Sequence, residues 1–581
     1  MYGSFDYLLY YLWGMLHLAQ DNSSATAYYP YNNWLVLSLF FSALLGMVLL
    51  NRSKTSLFFA VLVALGLFAA WKHGMAREDI YHVRGFFIYT MICLAVFILF
   101  YKKNRFLNLV LSIAVLFLLS LNMINSFNYY STKYEIVRVD NFIRFISDYS
   151  SLKQKSTDIS KKNIASNTLP QKMRDAVSNS KTDIYPWEYS IAAINELNWQ
   201  PRVVIQSYAS YTSYLDQRNA NHFCSKSAPE YLIWESEKKS EDCNGGYLNS
   251  IDNRYLLNDE PRTILTLLTN YDPYVSDTKF HLYKKRLKPV STITKPIKVT
   301  NTTWGVWIDV PETDNQLLRA KLKFGKSLVQ GLKSFFYKDE QFWMYLKLRN
   351  GKIHKYRIVP KNAADGLWIN PYIFHFDKAY TIDSVMFKCS NQSILKKNLT
   401  VEWEQIGFQA NPNRIQDFFG IKEWNSDTLI VNSMNGYEQV SAKNWDGLSK
   451  GLILESAFEG THSYLIKANS FSNAFILQLD SIPFQDLKIT ADCWIKSPEY
   501  MLSNNILMII SVTDETGSVL WNGLQIDGQL IDNKQWNHIL SFIHYNHNTA
   551  NRTLKVYLWN ISTKDAMIDN FTVSILKNNN P

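Results

Sequence analysis

Four long apolar stretches near the N-terminus limit the fold of this chain more than any other feature. They are Trp34–Leu50, Leu57–Trp71, Gly85–Tyr101 and Phe106–Leu121, and none contains a charged residue. Each is close to the length that a helix needs to cross a bilayer. The sequence therefore predicts an N-terminal transmembrane helical domain of about four spans over residues 1–130.

Basic residues between these stretches predict their orientation. The loops after the first and third stretches contain Arg52, Lys54, Lys102, Lys103 and Arg105. The loop after the second contains Lys72, Arg77 and Arg84. The positive-inside rule places the first and third loops, which contain more basic residues, in the cytoplasm. We therefore expect a multi-pass inner (plasma) membrane protein with extracytoplasmic C-terminal domains and membrane lipid as a partner.

The rest of the 581-residue chain has the composition of globular domains. Residues 131–182 predict an amphipathic helix followed by a linker, and residues 183–289 alternate helix and strand, which is typical of an α/β domain with parallel pairing. Residues 290–420 and 421–581 show polar–apolar alternation, which predicts two antiparallel β-sandwiches, the second a jelly roll. The predicted fold class is thus a multidomain membrane protein with three soluble domains.

Charge and cysteine content exclude several functions. The net charge is +10, but no basic run alternates with aromatic residues, so nucleic acid is not an expected partner. Nucleotide-binding and familiar hydrolase motifs are absent. No Cys/His spacing is typical of a metal site. Cys224 and Cys243 flank a polar stretch and predict a disulfide if that region is extracytoplasmic.

The loop between the second and third stretches concentrates ionisable groups. Its basic side chains could bind a lipid diphosphate; they are Lys72, His73, Arg77, His82 and Arg84. Glu78 and Asp79 are weak catalytic candidates, as a base or, with the histidines, as ligands of a divalent cation. The alternative is an ordinary interfacial loop in which basic residues anchor the ends of the spans.

The α/β region suggests a second pocket. Ligands of open α/β sheets bind at the carboxyl ends of strands, and the segment Arg202–Gln206 predicts a strand whose following loop is polar. The residues near predicted strand ends and helix starts are Trp187, Glu188, Gln206, Tyr208, Tyr211, Tyr214, Asp216 and Arg218. The alternative is that the tyrosines pack between the sheet and a membrane helix, because aromatic residues mostly belong to the core.

The last domain contains candidates for carbohydrate binding. Aromatic rings that could stack on sugars are Trp521, Trp536, Tyr557 and Trp559, although Trp559 could equally be a core residue. Asp565, Asp569 and Asn570 could hold a structural Ca²⁺, or could simply form a turn.

Two regions of the chain resemble known families. The segments "ELNWQPRVVIQSYASYTSYLDQRNANHF", "WKHGMAREDIYHVRGFF" and "SIDNRYLLNDEP" resemble bacterial envelope glycosyltransferases of the GT-C type, which use lipid-linked sugars. Residues 446–577 resemble carbohydrate-binding jelly rolls. The GT-C family has eight or more spans and an acidic catalytic residue in its first external loop, and this sequence shows neither. No catalytic residue is therefore carried over.

Two functions remain open at this point. The resemblance implies a GT-C-like glycosyltransferase, or a fragment or subunit of one, that acts on lipid-linked sugar in cell-surface polysaccharide assembly, with a partner membrane subunit. The alternative is a non-catalytic, membrane-anchored protein that binds or organises polysaccharide. The missing acidic motif and the prevalence of β-sandwiches support this alternative, whereas the resemblance and the charged external loop support the glycosyltransferase, which is the main prediction.

Overall fold

The computed structural model describes two parts of the chain. The described residues are 5–20, 22–27, 54–77, 82, 86, 89, 106, 109, 110, 113 and most of 148–577; the longer breaks within the last range are 237–247, 421–427, 497–505 and 526–535. These residues divide into two compact units. One consists of 22–169 and 326–341, and the other consists of 1–21, 170–325 and 342–581.

The described elements of the smaller unit are mainly helices. Its helices are α2 (Asn22–Thr26), α3 (Lys54–Arg77), α4 (Tyr149–Asn167) and α9 (Leu328–Phe336). Trp71 of α3 is 2% exposed and packs on Phe86 and Tyr337, with ring centroids 5.3 and 5.7 Å apart. The predicted linker after residue 153 is largely helix α4, whose residues are almost all exposed.

The prediction of a transmembrane helical domain is wrong for the described residues. Within this part of the chain, the structure has no helix that is both long and apolar enough to cross a membrane. The second apolar stretch lies in α3, where Leu67, Trp71 and Met75 are buried against protein. Hydropathy alone does not distinguish a residue that contacts lipid from one that belongs to a protein core.

The same finding contradicts the predicted localisation as a multi-pass inner-membrane protein. Trp34–Leu50, most of Gly85–Tyr101 and most of Phe106–Leu121 lie outside the described residues. What the structure does describe is dominated by β-sheets arranged as sandwiches.

The larger unit begins with helix α1 (Phe5–Gln20) and contains the predicted α/β domain. The helices of this domain are α5 (Gln171–Val177), α6 (Ser190–Ile194), α7 (Ser213–Cys224) and α8 (Pro261–Asn270). Its strands are β1 (Thr182–Tyr185), β2 (Tyr231–Glu235), β5 (Tyr271–Ser276) and β6 (Phe280–Lys285), in the order β1-β2-β6-β5. The predicted parallel pairing holds for β1 and β2, whereas β6 is antiparallel to both of its neighbours.

The predicted strand Arg202–Gln206 does not form. Arg202 instead donates hydrogen bonds to the carbonyl oxygens of Ile184 and Ile205, at 2.6 and 2.7 Å. The side chain of Asn219 bonds both the N–H and the C=O of Val204, at 2.9 and 3.0 Å. Side chains therefore provide the partners that a neighbouring strand would have provided.

The first sandwich packs two sheets over one core that continues into the α/β domain. One sheet has the order β3-β4-β11-β10-β15-β8 and the other β12-β9-β16-β7, with a β13-β14 hairpin beside them. The strands of the first sheet are β3 (Asn249–Ser250), β4 (Arg254–Tyr255), β8 (Trp307–Asp309), β10 (Phe342–Leu348), β11 (Ile353–Ile358) and β15 (Ile382–Cys389). The remaining elements are β7 (Thr292–Thr303), β9 (Leu317–Lys326), α10 (Pro360–Ala363), β12 (Leu367–Asn370), β13 (Tyr372–Phe374), β14 (Lys378–Tyr380), β16 (Leu395–Phe408) and α11 (Arg414–Phe418).

The C-terminal sandwich confirms the predicted two-sheet architecture of the last domain. One sheet has the order β19-β20-β27-β22-β25, with β17 pairing with β27, and the other has the order β18-β21-β26-β23-β24. Their strands are β17 (Thr428–Asn435), β18 (Trp445–Asp446), β19 (Leu452–Ile453), β20 (Ser463–Ile466), β21 (Ser470–Gln478), β22 (Asp486–Lys496), β23 (Ile506–Asp514), β24 (Gly517–Gln525), β25 (Asn537–Asn546), β26 (Thr553–Asn560) and β27 (Ala566–Lys577). Apolar side chains of both sheets, mostly aliphatic with several aromatic rings, form one core between them.

Candidate functional site

Strand β26 positions two aromatic rings on the outside of the C-terminal sandwich. Its residues alternate, so that Leu554, Val556 and Leu558 are fully buried in the core. Tyr557 and Trp559 lie on the opposite face and are partly exposed. This alternation follows from the two-residue period of a strand. It answers the question that the sequence left open, because Trp559 is not a core residue.

A neighbouring strand extends this aromatic surface. In the sheet register, Phe471 of β21 lies opposite Trp559. Its ring stacks on that of Trp559, with centroids 5.4 Å apart and an interplanar angle of 28°. It also meets Tyr557 edge-on at 5.7 Å. Phe471 is nevertheless 55% exposed, so one side of this cluster faces solvent.

The other end of the same face contains Trp521 of β24, which is 53% exposed. Its indole extends over Gly523, where an added Cβ would lie 2.6 Å from the ring and 3.1 Å from Ile509. Gly523 pairs with Ile509, which in turn pairs with Tyr557. The absence of a side chain at position 523 therefore provides the space in which the indole lies against the sheet. We call Phe471, Trp521, Tyr557 and Trp559 the aromatic face.

The predicted carbohydrate-binding residues thus fall into two places. Trp521, Tyr557 and Trp559 share the aromatic face, whereas Trp536 precedes β25 in the other sheet. Trp536 lies 6.4 Å from Phe458, which stacks on Trp494 at 3.7 Å. Sequence reasoning missed Phe471, although a phenylalanine between serines at the start of a strand is a signal for an exposed ring.

The predicted calcium residues have protein partners. The buried carboxylate of Asp569 accepts hydrogen bonds from the backbone N–H groups of Phe458, Glu459 and Asn570, at 2.7 to 3.2 Å. Burial raises the pKa of Asp569. Asp565 accepts a hydrogen bond from the N–H of Ala468. Across the described residues, no group of three His, Cys, Asp or Glu side chains is placed to hold a metal ion.

The loop predicted to bind lipid phosphate is only partly described. Lys72 donates a hydrogen bond of 3.0 Å to the carbonyl oxygen of Tyr337 and another to that of Ser334, and burial lowers its pKa. The rings of His73 and His82 lie 5.1 Å apart, and Arg77 ends helix α3. The residues outside the described part are Glu78, Asp79 and Arg84. Catalysis and phosphate binding by this loop stay predictions.

The residues predicted for the α/β pocket have diverse surroundings. Asp216 is fully buried and accepts hydrogen bonds from the N–H groups of Arg262 and Thr263, at the start of α8. Tyr214 stacks on His17 at 4.4 Å. The rings of Trp187 and Tyr208 meet edge-on. Tyr211 is buried, Gln206 is partly buried and Arg218 is exposed. Glu188 accepts a hydrogen bond from Ser190. Asp216 therefore stabilises a helix start.

The structure brings a set of polar groups together beside this region. Arg202 and Asp183 form an ion pair of 3.2 Å in which both side chains are at most 1% exposed. Glu260 accepts a hydrogen bond of 2.9 Å from Asn219, and burial raises its pKa to about 8. For the predicted disulfide, Cys224 is exposed and Cys243 lies outside the described residues, so the pairing stays a prediction.

Comparisons with known proteins gave matches among solved structures only. No family model and no curated protein matches the chain. The CBM22-1 xylan-binding domain of Paenibacillus barcinonensis Xyn10C is 14% identical, with a TM-score of 0.20, and covers 27% of this chain and 99% of its own. The family 22 carbohydrate-binding module of Clostridium thermocellum Xyn10B is 17% identical, with a TM-score of 0.20, over 26% of this chain and 97% of its own. TmCBM61 in complex with β-1,4-galactotriose is 12% identical, with a TM-score of 0.17, over 24% of this chain and 92% of its own. All three are carbohydrate-binding modules.

Proposed function

We propose that this protein binds polysaccharide without catalysis, and that the aromatic face of its C-terminal sandwich is the binding site. The observation that supports this proposal is the exposure of large rings on one sheet face, with Phe471 and Trp521 each more than half exposed. Exposed apolar groups that lie side by side are typical of a binding surface. Pyranose rings present apolar C–H faces, which complement the faces of aromatic rings.

The dimensions of the aromatic face favour an oligosaccharide over a single sugar. Phe471 and Trp521 belong to the outer strands of the series β21-β26-β23-β24. Three strand spacings separate them, which corresponds to at least about 14 Å. A ligand that contacts both rings must therefore extend across the sheet. Lys555, which is exposed on the same face, can donate hydrogen bonds to sugar hydroxyl groups.

The rigidity of the support also favours binding. The rings project from strands whose other faces form the core, so their positions are set by the sheet register. A site on strands loses little conformational entropy when a ligand binds. Stacking of a sugar on these rings needs neither a nucleophile nor a proton donor. The aromatic face therefore supports polysaccharide binding better than glycosyl transfer.

Affinity electrophoresis of the full chain in gels that contain xylan, β-1,4-galactan or β-glucan tests this proposal. We expect at least one polysaccharide to retard the protein, and Trp559→Ala to weaken the interaction by about 10-fold or more, as for a residue at the centre of an interface. Phe471→Ala should have a similar effect. Trp536→Ala is the matched control, because it removes an aromatic ring from the other sheet.

Each outcome bears on the proposal. Retardation that is lost in Trp559→Ala and kept in Trp536→Ala would support it. Equal loss in both variants would contradict the assignment to the aromatic face. The absence of retardation by any polysaccharide would contradict polysaccharide binding itself.

A further inference from the structure

A cleft that is separate in sequence from the aromatic face is a second candidate binding site. It has a volume of about 510 Å³ and lies between helices α7 and α8 and the strands β9 and β16. The charged residues that line it are Arg262, Arg319, Lys321, Lys323, Asp365 and Glu402. A volume of this size is within the range of small-molecule sites. All of these residues belong to the larger unit.

Strand alternation places a row of cations along this cleft. Leu318, Ala320 and Leu322 of β9 are buried in the core. The intervening residues of the strand, Arg319, Lys321 and Lys323, line the cleft instead. Their positions are thus fixed by a strand rather than by a mobile loop, which favours a defined binding geometry.

The carboxylates around the cleft do not balance its cations. Arg262 pairs with Asp365 at 2.5 Å, and Lys323 pairs with Glu402 at 2.6 Å. Glu404 serves two cations, because it accepts from the Nε of Arg319 at 2.8 Å and from the Nζ of Lys321 at 2.5 Å. Four cations and three carboxylates leave a net charge of +1. Lys321 is one-third exposed, so this charge is accessible to a ligand.

Two buried atoms at the cleft are without a hydrogen-bond partner in the described structure. The Nη1 of Arg319 can donate a hydrogen bond, and the Oδ2 of Asp365 can accept one. Arg319 and Asp365 are each 8% exposed. An unsatisfied buried polar atom is costly, so each atom favours a partner that enters the cleft. Gly366, with a φ of +106°, leaves room for this guanidinium, since a Cβ there would lie 3.0 Å from the Nε.

We propose that this cleft binds an acidic saccharide of about disaccharide size, with its carboxylate near Arg319 and Lys321 and its hydroxyl groups near Asp365 and Glu402. The net positive charge and the free guanidinium N–H select an anion. The free carboxylate oxygen selects a ligand that also donates hydrogen bonds. A uronic acid disaccharide combines both groups in one molecule of about the size of the cleft, whereas inorganic phosphate, although its O–H groups can donate, is much smaller than the cleft.

Isothermal titration calorimetry with digalacturonate tests this inference. The protein is the full chain with Trp559→Ala, so that weakened binding at the aromatic face does not obscure the result. We expect saturable binding, a loss of about 10-fold or more in Lys321→Gln, and a smaller loss in Lys323→Gln, whose side chain is 63% exposed. Lys298→Gln is the matched control, because this exposed lysine lies in β7 of the same sheet and outside the cleft.

The controls separate this inference from other outcomes. A neutral disaccharide should not bind, and inorganic phosphate at equal concentration should not displace digalacturonate. Displacement by phosphate would contradict a saccharide site and indicate a simple anion site. Unchanged binding in both Lys321→Gln and Lys323→Gln, or the absence of digalacturonate binding, would overturn the inference. Equal thermal unfolding midpoints would show that the variants are folded.

Discussion

The α/β domain and the C-terminal sandwich distribute their polar groups in different ways. The α/β domain buries the ion pair of Arg202 and Asp183 and, close by, the carboxyl group of Glu260. The C-terminal sandwich instead fills the space between its sheets with apolar side chains, mostly aliphatic, and exposes further aromatic rings on the outside. Residues that stabilise the fold and residues available for binding are therefore separate in the sandwich. In the α/β domain, the buried charges belong to the framework itself.

The largest expected effect tests the framework role of Arg202. We expect Arg202→Met to destabilise the α/β domain by about 3–5 kcal/mol, because Asp183 would keep a buried charge without its partner. Native-state hydrogen exchange of the amides in β1 and β2 measures this change. Arg218→Met, at an exposed position of α7, should change the free energy of opening by less than about 0.5 kcal/mol. Similar effects in the two variants would refute the comparison.

The second prediction concerns the pH dependence of the α/β domain. Burial raises the pKa of Glu260 to about 8, so the folded protein binds this proton more tightly than the unfolded chain does. The contribution to stability is therefore complete below the unfolded pKa of about 4.3, and it is lost as the pH rises toward 8. Each pKa unit corresponds to about 1.4 kcal/mol. Burial also raises the pKa of Asp216, to about 6, which acts in the same direction.

Glu260→Gln separates this effect from other titrations. The variant keeps a hydrogen-bonding side chain but does not ionise, so the urea midpoint of the α/β domain should vary less between pH 5 and pH 8. Pulse proteolysis at several urea concentrations, with fragments identified by mass, reports on this domain selectively. The groups that face Glu260 are Arg202, Asp216 and Asp259, and they are unchanged in the variant. A midpoint that rises with pH in the wild type would contradict the assignment.

A smaller effect is expected at Gly523. An alanine there would place its Cβ within 2.6 Å of the Trp521 ring and would displace the indole from the sheet. We expect polysaccharide affinity to fall by about 3- to 10-fold, with little change in the stability of the sandwich. Affinity electrophoresis and thermal unfolding measure the two quantities. A variant that unfolds instead would show that binding and folding are not separate on this face.

The smallest expected effect is at Trp494, on the other sheet. Its ring packs on Phe458, so Trp494→Ala should destabilise the sandwich slightly and leave polysaccharide affinity within about 2-fold of the wild type. Affinity electrophoresis with the polysaccharide that retards the wild type provides the measurement. Strong loss of binding would extend the binding site to both sheets.

Local patterns predicted the sandwich but not the partners of its residues. The alternation in β26 was readable from sequence, but it did not indicate which face is buried, and the structure places Tyr557 and Trp559 on the outer face. The register that places Phe471 beside them depends on an irregularity between Phe471 and Ala474, which no local pattern reveals. For the same reason, sequence did not distinguish Trp536, on the other sheet, from Trp521.

The apolar stretches show a different limit of sequence analysis. Leu57–Trp71 contains no charge and reads as a membrane span, yet its last turns pack on aromatic residues of the same unit. The missing strand at Arg202–Gln206 has a related cause, because the side chains of Arg202 and Asn219 replaced the strand partner. In both cases the decisive contacts join residues that are distant in sequence.

The alternation along β26 has a consequence for how this protein could change during evolution. Positions 554, 556 and 558 are constrained by the core, whereas 555, 557 and 559 are not. A single short strand therefore alternates positions that folding constrains with positions that it does not constrain. Substitutions at the three outer positions could alter ligand preference step by step without an intermediate that fails to fold, and the same three positions are where a directed library should begin.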